Sequence, residues 1–141
     1  MLLRARVVLP LSQPPIKNGF VRVVKNRVTT VGVWADAPDE PVIDLGEVIL
    51  LPGLVNSHCH LDYTDFVGAI PPPKSFTDWI DAIVDLKADV DDAAHADSWR
   101  HGADQCLRYG TTTLGNIESR PDNLPHLWLA TPLRVVSFFE L

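Results

Sequence analysis

The sequence predicts an α/β chain in which a small antiparallel β unit precedes the first part of a parallel, helix-flanked sheet. Short β-type runs separated by turn signals fill residues 1–51, whereas strand-like runs alternate with helical segments over residues 52–141. Strands separated by helices usually pair in parallel through right-handed crossovers. The first strand of the second region also ends in polar residues, which is typical of the active edge of such a sheet.

The first region is predicted from its runs of β-branched and apolar residues. Residues 4–9 form one such run, and residues 20–24 and 27–33 form two more on either side of Lys25-Asn26. Lys25-Asn26 is a plausible two-residue hairpin turn, because Asn tolerates a positive φ. Asn18-Gly19 predicts a further turn. We therefore expect residues 1–51 to form part of a small antiparallel β-sandwich.

The second region starts at Pro52 with a short strand, residues 54–60, that is apolar first and polar last. A long loop with three successive prolines, residues 71–73, follows it. Ser75, with Asp78 three residues later, predicts the start of a helix. Its apolar residues recur at helical spacing and predict a buried face that includes Trp79.

The remaining elements are a second helix and two further strands. The helix is expected over about residues 92–109, with Gly110 as its stop signal and one shared apolar face formed by Trp99, Ala103, Cys106 and Leu107. Residues 111–114 are β-branched and predict a strand. After a connector that contains prolines, residues 133–139 predict another.

Composition excludes several classes of function. The chain has 46% apolar and 21% charged residues and a net charge of −6, with no cluster of basic residues for binding nucleic acid. It has no apolar run of about 18 residues that would span a membrane, and no signal-peptide pattern. The two cysteines, Cys59 and Cys106, are too few for a disulfide framework. We expect a cytoplasmic protein with reduced thiols that acts on a small molecule.

His58 and His60 are the residues that most clearly indicate chemistry. Residues two apart in a strand face the same side, with Cα atoms roughly 6.5–7 Å apart, so both imidazoles can reach one ion. Cys59 faces the other side, where a small buried residue is expected. A catalytic zinc site has about three protein ligands and a water, so at least one further ligand must come from elsewhere.

Residues 51–61, LPGLVNSHCHL, resemble the LPGLVNxHxH signature of the amidohydrolase superfamily, in the branch of cytosine-, guanine- and S-adenosylhomocysteine-type deaminases and triazine hydrolases. Residues 109–114 resemble that branch's GTTT segment, and residues 133–136 resemble its third strand. The resemblance implies a partial (β/α)8 barrel, a bound Zn²⁺ or Fe²⁺, and hydrolysis of C–N bonds by metal-activated water. It implies that His58 and His60 are metal ligands.

The same resemblance implies residues that this sequence does not contain. The family also uses histidines on the fifth and sixth strands, a Glu for proton transfer and an Asp on the eighth strand, which we expect beyond Leu141. A complete barrel takes about 250 residues, so the chain has room for about three of its strands. We expect a fragment or a truncated reading frame, inactive alone, and leave open whether the parent is a homo-oligomer.

Several other residues have both a functional and a structural interpretation. Tyr63, Trp79 and Glu140 are candidate substrate contacts, although Tyr63 also fits a rigid loop, Trp79 a helix core and Glu140 an ordinary strand end. Asp62 has two interpretations: its side chain orients a ligand histidine, or it caps the turn after the strand. His95, His101 and His126 are expected to be solvated.

Two other functions compete with the amidohydrolase hypothesis. His58-Cys59-His60-Leu61-Asp62 resembles the start of the HxHxDH motif of metallo-β-lactamase-type hydrolases, but Tyr63 stands where that motif has its last His. A non-catalytic remnant or interaction module is the other alternative, because an incomplete barrel exposes a strand edge and an apolar interior.

Overall fold

The computed structural model describes residues 1–140 and divides into two compact units, Met1–Pro52 and a second that starts at Gly53. The first unit is a five-stranded sheet of β1 (Leu2–Val8), β2 (Ile16–Val24), β3 (Arg27–Val33), β4 (Val42–Asp44) and β5 (Ile49–Leu50). Its core is formed by Ala5, Val8 and Val21, against which further apolar residues pack. Leu2, Ala5 and Val8 are the buried residues of β1, and Arg6 is its exposed residue.

The prediction of an antiparallel β-sandwich for residues 1–51 is wrong in part. β1, β2 and β3 pair antiparallel, and the turn at Lys25-Asn26 lies where it was predicted. However, β4 and β5 pair in parallel with β1, because β2 occupies only one edge of β1 and the chain returns along the other. Asn18 and Gly19 lie inside β2 instead of in a turn, and Asn18 keeps a φ of 45° while its side chain accepts hydrogen bonds from Arg4.

The second unit contains a three-stranded parallel sheet in the order β6 (Leu54–Cys59), β7 (Thr111–Glu118) and β8 (Arg134–Phe139). Helices α1 (Phe76–Asp89) and α2 (Asp92–Arg108) connect β6 to β7, and α3 (Leu124–Leu129) lies between β7 and β8. The prediction of a mixed α/β fold with parallel strands is confirmed. In the described residues this sheet does not close into a barrel.

α2 forms the centre of the second core, whereas α1 does not. Trp99 and Ala103 are buried on α2 against a cluster that includes Leu61 and Leu114. A Cβ at Gly102 would meet the Thr64 hydroxyl at 2.3 Å, so glycine is required where α2 crosses the 3₁₀ segment Leu61–Phe66. The helix therefore packs close to the residues that follow β6.

α1 begins where it was predicted, since the Ser75 hydroxyl accepts a hydrogen bond from the Asp78 N–H. The prediction of a buried apolar face is wrong: Trp79 is 36% exposed, and Ile83 is the buried residue of the helix. Helical periodicity shows which residues share a face, but it does not show whether another element covers that face. Among the described residues, no helix has both the length and the apolar character needed to cross a membrane.

Candidate metal centre

His58 and His60 lie at the carboxyl end of β6. His58 is inside the strand and His60 is the residue after Cys59, where the 3₁₀ segment begins. Because β6, β7 and β8 are parallel, their carboxyl ends lie at one edge of the sheet, the edge that carries active sites in open and closed α/β folds. The pair is therefore at the position where such folds present functional side chains.

The two imidazole rings approach each other closely. Their centroids are 5.3 Å apart with an interplanar angle of 66°. Two imidazoles on one tetrahedral ion, with metal–nitrogen distances of about 2.0–2.1 Å, have centroids about 5 Å apart. The geometry of the two rings thus fits a shared divalent ion, of which they would be two ligands. Within residues 1–140 no group of three or more His, Cys, Asp or Glu side chains could hold a metal.

The ring of His60 is held by its neighbours. Tyr63 stacks on it with a centroid distance of 4.6 Å and an interplanar angle of 16°, and Phe66 stacks on Tyr63 at 5.5 Å. Burial lowers the pKa of His60, which favours the neutral imidazole that a metal ligand requires. Both effects are compatible with the role of metal ligand that is predicted for His60.

Tyr63 is in turn held by Lys87 on α1. The Lys87 ammonium donates a hydrogen bond of 3.1 Å to the Tyr63 hydroxyl and lies 3.4 Å from the Glu140 carboxylate, just after β8. Burial opposes the charge of Lys87, but the hydrogen bond to Tyr63 and the nearby carboxylates of Asp62 and Glu140 outweigh it and raise the Lys87 pKa. Two of the candidate substrate contacts, Tyr63 and Glu140, are therefore joined through a residue that sequence analysis did not select.

The third candidate, Trp79, lies elsewhere. Its aromatic contact is with Phe76 on its own helix, at a centroid distance of 5.7 Å. Both side chains are exposed on α1. The structure thus brings Tyr63 and Glu140 into one hydrogen-bonded group and leaves Trp79 outside it.

Asp62 and His95 form a buried polar pair behind the metal half-site. Their side chains are 3% and 4% exposed, and His95 Nε2 lies 3.7 Å from Asp62 Oδ2. The expectation that His95 is solvated is wrong, because His95 lies one helical turn before Trp99 on the inner face of α2. Burial lowers the pKa of His95. The spacing of four from Trp99 was the sequence signal for this burial.

Asp62 also fixes the local backbone. Its carbonyl accepts a hydrogen bond from Ser98 and its carboxylate accepts one from Ser119. The other two histidines are exposed: His101 pairs with Asp65 at 2.9 Å, and His126 lies on α3. Of the two roles open to Asp62, the structure shows it holding the 3₁₀ segment against α2 and the residue after β7.

Sequence analysis missed a second polar group, at the end of β7. Asn116 is fully buried, and its side-chain oxygen accepts the Leu61 N–H at 3.0 Å. Glu118 is 1% exposed and accepts hydrogen bonds from Ser137 and from the Trp99 indole. Burial raises the pKa of the Glu118 carboxyl. Asn116 and Glu118 are two residues apart on β7, so their side chains face the same side of the sheet. Their burial could have been predicted only by knowing which side of the strand faces the core.

Cys59 faces the core side of β6, as expected from its position between the two histidines. It packs on the buried cluster around Trp99, together with Cys106. Burial raises the pKa of its thiol to about 11, and both cysteines are free. The Cys59 thiol is therefore protonated at neutral pH in the metal-free chain, and it packs against the core cluster instead of beside the two imidazoles.

No family model matches the chain. Among curated proteins, it is 34% identical over 68 residues to a 5-methylthioadenosine/S-adenosylhomocysteine deaminase of Moorella thermoacetica, a match that covers 45% of the chain and 16% of the relative. It is 30% identical over 115 residues to a 5'-deoxyadenosine deaminase of Methanobrevibacter smithii, covering 80% of the chain and 26% of that relative. The chain thus spans about a quarter or less of the length of these relatives.

Solved structures give the same fold over nearly the whole chain. Guanine deaminase of C. acetobutylicum matches 96% of this chain and 35% of its own chain, with a TM-score of 0.79 at 14% identity. A triazine hydrolase of Arthrobacter aurescens matches 98% and 35% with a TM-score of 0.76 at 18% identity. A zinc-bound adenosine deaminase of Xanthomonas campestris matches 96% and 32% with a TM-score of 0.74 at 22% identity.

These matches define the class of protein that the chain resembles: deaminases and hydrolases of the amidohydrolase type. More particularly, its curated relatives are named as deaminases, and its structural neighbours are deaminases and a triazine hydrolase. The resemblance inferred from residues 51–61 is confirmed. The metal role of His58 and His60 stays a prediction.

Proposed function

We propose that the chain carries the first metal-binding strand of a (β/α)8 hydrolase that cleaves a C–N bond of a small, cyclic substrate. The supporting observation is the pair of imidazoles, 5.3 Å apart, at the carboxyl end of the first strand of a parallel sheet. The names of the relatives favour deamination over amide or amidine hydrolysis. They also favour an amidohydrolase over a metallo-β-lactamase-type enzyme.

His58 and His60 would hold one divalent ion, Zn²⁺ or Fe²⁺, together with ligands that residues 1–140 do not supply. When bound, such an ion activates water for attack on an sp² carbon. His60 would be kept neutral by its partial burial and kept in orientation by Tyr63. Proton transfer at the substrate would need further residues, so the chain alone is proposed to bind metal without turnover.

Zinc affinity, measured by competition with a chromophoric chelator, tests the metal half of this proposal. Replacing both His58 and His60 with Ala should weaken zinc binding by at least about a hundredfold, because two nitrogen ligands are lost. The matched control is His101→Ala with His126→Ala, which removes two exposed imidazoles and should leave the affinity unchanged. Equal affinity in the wild type and the His58/His60 variant would remove the proposal.

A non-catalytic interaction module is the second candidate, favoured by one observation. Large apolar side chains are exposed on α1 and β8, including Phe76, Phe138 and Phe139. Such a surface is typical of a region that another element covers. If the chain forms a stable complex through this surface and binds no zinc, the interaction module is the better description; zinc binding that depends on His58 and His60 argues for the hydrolase.

A further inference from the structure

A cavity of about 280 Å³ lies in the second unit, behind the 3₁₀ segment Leu61–Phe66 and between α1 and α2. Its volume is near the lower end of the range of about 300–1,000 Å³ that is typical of small-molecule pockets. Its polar lining is Asp62, Lys87, His95, Ser119 and Arg120. Nothing in the proposed hydrolytic site uses this set of side chains as a group.

Two of these residues are buried with unpartnered polar atoms. Among the described residues, Asp62 Oδ1 and both ring nitrogens of His95 have no hydrogen-bond partner. Their closest approach, 3.7 Å, is too long for a hydrogen bond. A buried polar group without a hydrogen-bond partner is destabilising, so native structures rarely leave such groups unsatisfied without a bound partner.

The lining of the cavity also carries positive charge, from Lys87 and Arg120. Lys87 uses two of its donors on Tyr63 and Glu140, which leaves a third N–H available. Arg120 donates to the backbone carbonyls of Lys87 and Val90 and pairs with Asp92, so it ties the end of α1 to the start of α2. The cavity lining therefore includes an acceptor, the Asp62 carboxylate, and a cationic donor, Lys87.

This arrangement selects the chemistry of the ligand. An anion would face the Asp62 carboxylate, a cation would face Lys87 and Arg120, and an apolar molecule would leave the buried atoms of Asp62 and His95 unsatisfied. Hydroxyl groups both donate and accept, so they can donate to Asp62 and accept from Lys87. Phe66, Val84 and Val90 give the cavity apolar walls against which a carbon ring could pack.

We propose that this cavity is a binding site for a neutral polyhydroxylated molecule of about the size of a pentose. The proposal rests on the cavity alone and does not require the metal half-site, so either can fail without the other. Asp62 and His95 would act as the buried hydrogen-bonding groups, and Lys87 as a charged donor in the same lining.

The test is an NMR titration of the labelled 141-residue chain with D-ribose, sodium acetate and ethylammonium chloride in separate arms. D-Ribose should give saturable shifts at the His95 ring and the Ser119 amide, with a dissociation constant on the order of 1–10 mM for so small a ligand. Acetate and ethylammonium should give no saturable shift there. Saturation by either ion in place of ribose, or by none of the three, would overturn the proposal.

Variants separate a specific site from weak surface binding. Lys87→Met should weaken ribose binding by about tenfold, the loss expected when one charged hydrogen-bond donor is removed. Lys74→Met, an exposed lysine that does not line the cavity, is the matched control and should bind as the wild type does. Lys87→Met that binds ribose with unchanged affinity would contradict the proposal.

A second pair of variants acts on the buried side. His95→Phe should abolish saturable ribose binding, whereas His101→Phe on the exposed face of α2 should retain it. If His95→Phe does not fold, Ser119→Ala provides the milder change, because Ser119 donates to Asp62 at the cavity wall. If Ser119→Ala and Lys87→Met both fold and both bind ribose with wild-type affinity, the proposal is contradicted.

Discussion

The ends of β6 and β7 lie side by side in one parallel sheet, but they use their polar residues in opposite ways. At the end of β6, His58 is exposed and His60 half-buried, so their rings are accessible to an ion. At the end of β7, Asn116 and Glu118 are buried and hydrogen-bonded to the protein itself. The same edge of a sheet thus supplies both a candidate ligand site and the internal polar contacts that support it.

The largest expected effect is on the buried end of β7. Trp99 is fully buried and its indole N–H donates to Glu118, so Trp99→Ala should lower the free energy of unfolding by about 3–5 kcal/mol. Chemical denaturation measures this change. Trp128→Ala is the matched control: Trp128 is 42% exposed, and its loss should cost far less. Equal costs would mean that α2 does not anchor β7.

A smaller effect is expected at the end of β6, on zinc affinity. Tyr63 stacks on His60, so Tyr63→Leu should weaken zinc binding by about threefold to tenfold by freeing the ring. The other tyrosine, Tyr109, is 76% exposed at the end of α2, and Tyr109→Leu should leave the affinity unchanged. An unchanged affinity in Tyr63→Leu would show that the stack does not position His60.

The smallest effect concerns the charge of Glu118. Its folded-state pKa is raised by burial, so the stability it contributes is fully present below the unfolded pKa of about 4.3 and is lost as pH rises through the folded value. Glu118→Gln retains an oxygen for Ser137 and Trp99 but cannot ionise. It should therefore be more stable than the wild type at pH 7 by about 1 kcal/mol, and the difference should vanish below pH about 4.

Urea denaturation of both proteins across this pH range measures the difference. A wild type that is more stable than Glu118→Gln at pH 7 would show that the buried carboxylate charge is favourable. That outcome would point to a cation bound near the end of β7, and it would reverse the contrast drawn between the two strand ends.

The polar residues at the end of β6 could be predicted from the sequence, whereas those at the end of β7 could not. A His-X-His pair at the polar end of a strand is unusual, so residues 54–60 indicated the strand and a candidate metal site, and the metal role stays a prediction. Asn116 and Glu118 follow a β-branched run that gave no reason to extend the strand, although β7 continues to Glu118. Their burial depends on Leu61, Trp99 and Ser137, which lie far away in sequence.

Dependence on residues far away in sequence also explains the other differences between the prediction and the structure. α1 and α2 have similar helical periodicity, but only α2 is covered by other elements, so Trp79 is exposed and Trp99 is buried. The parallel pairing of β4 and β5 with β1 depends on which edge of β1 is free, a property of the whole sheet. The local pattern predicted the helix start at Ser75 because capping acts within one turn.

The most direct test of the account is whether one zinc ion contacts both imidazoles. Nitrogen-15 NMR of the histidine rings, recorded while zinc is added, should show His58 and His60 shifting together and reaching their end points at one equivalent per chain. His101 and His126 should not shift over that range. A shift of His60 without His58, or a first equivalent taken up at His126, would contradict the shared metal site.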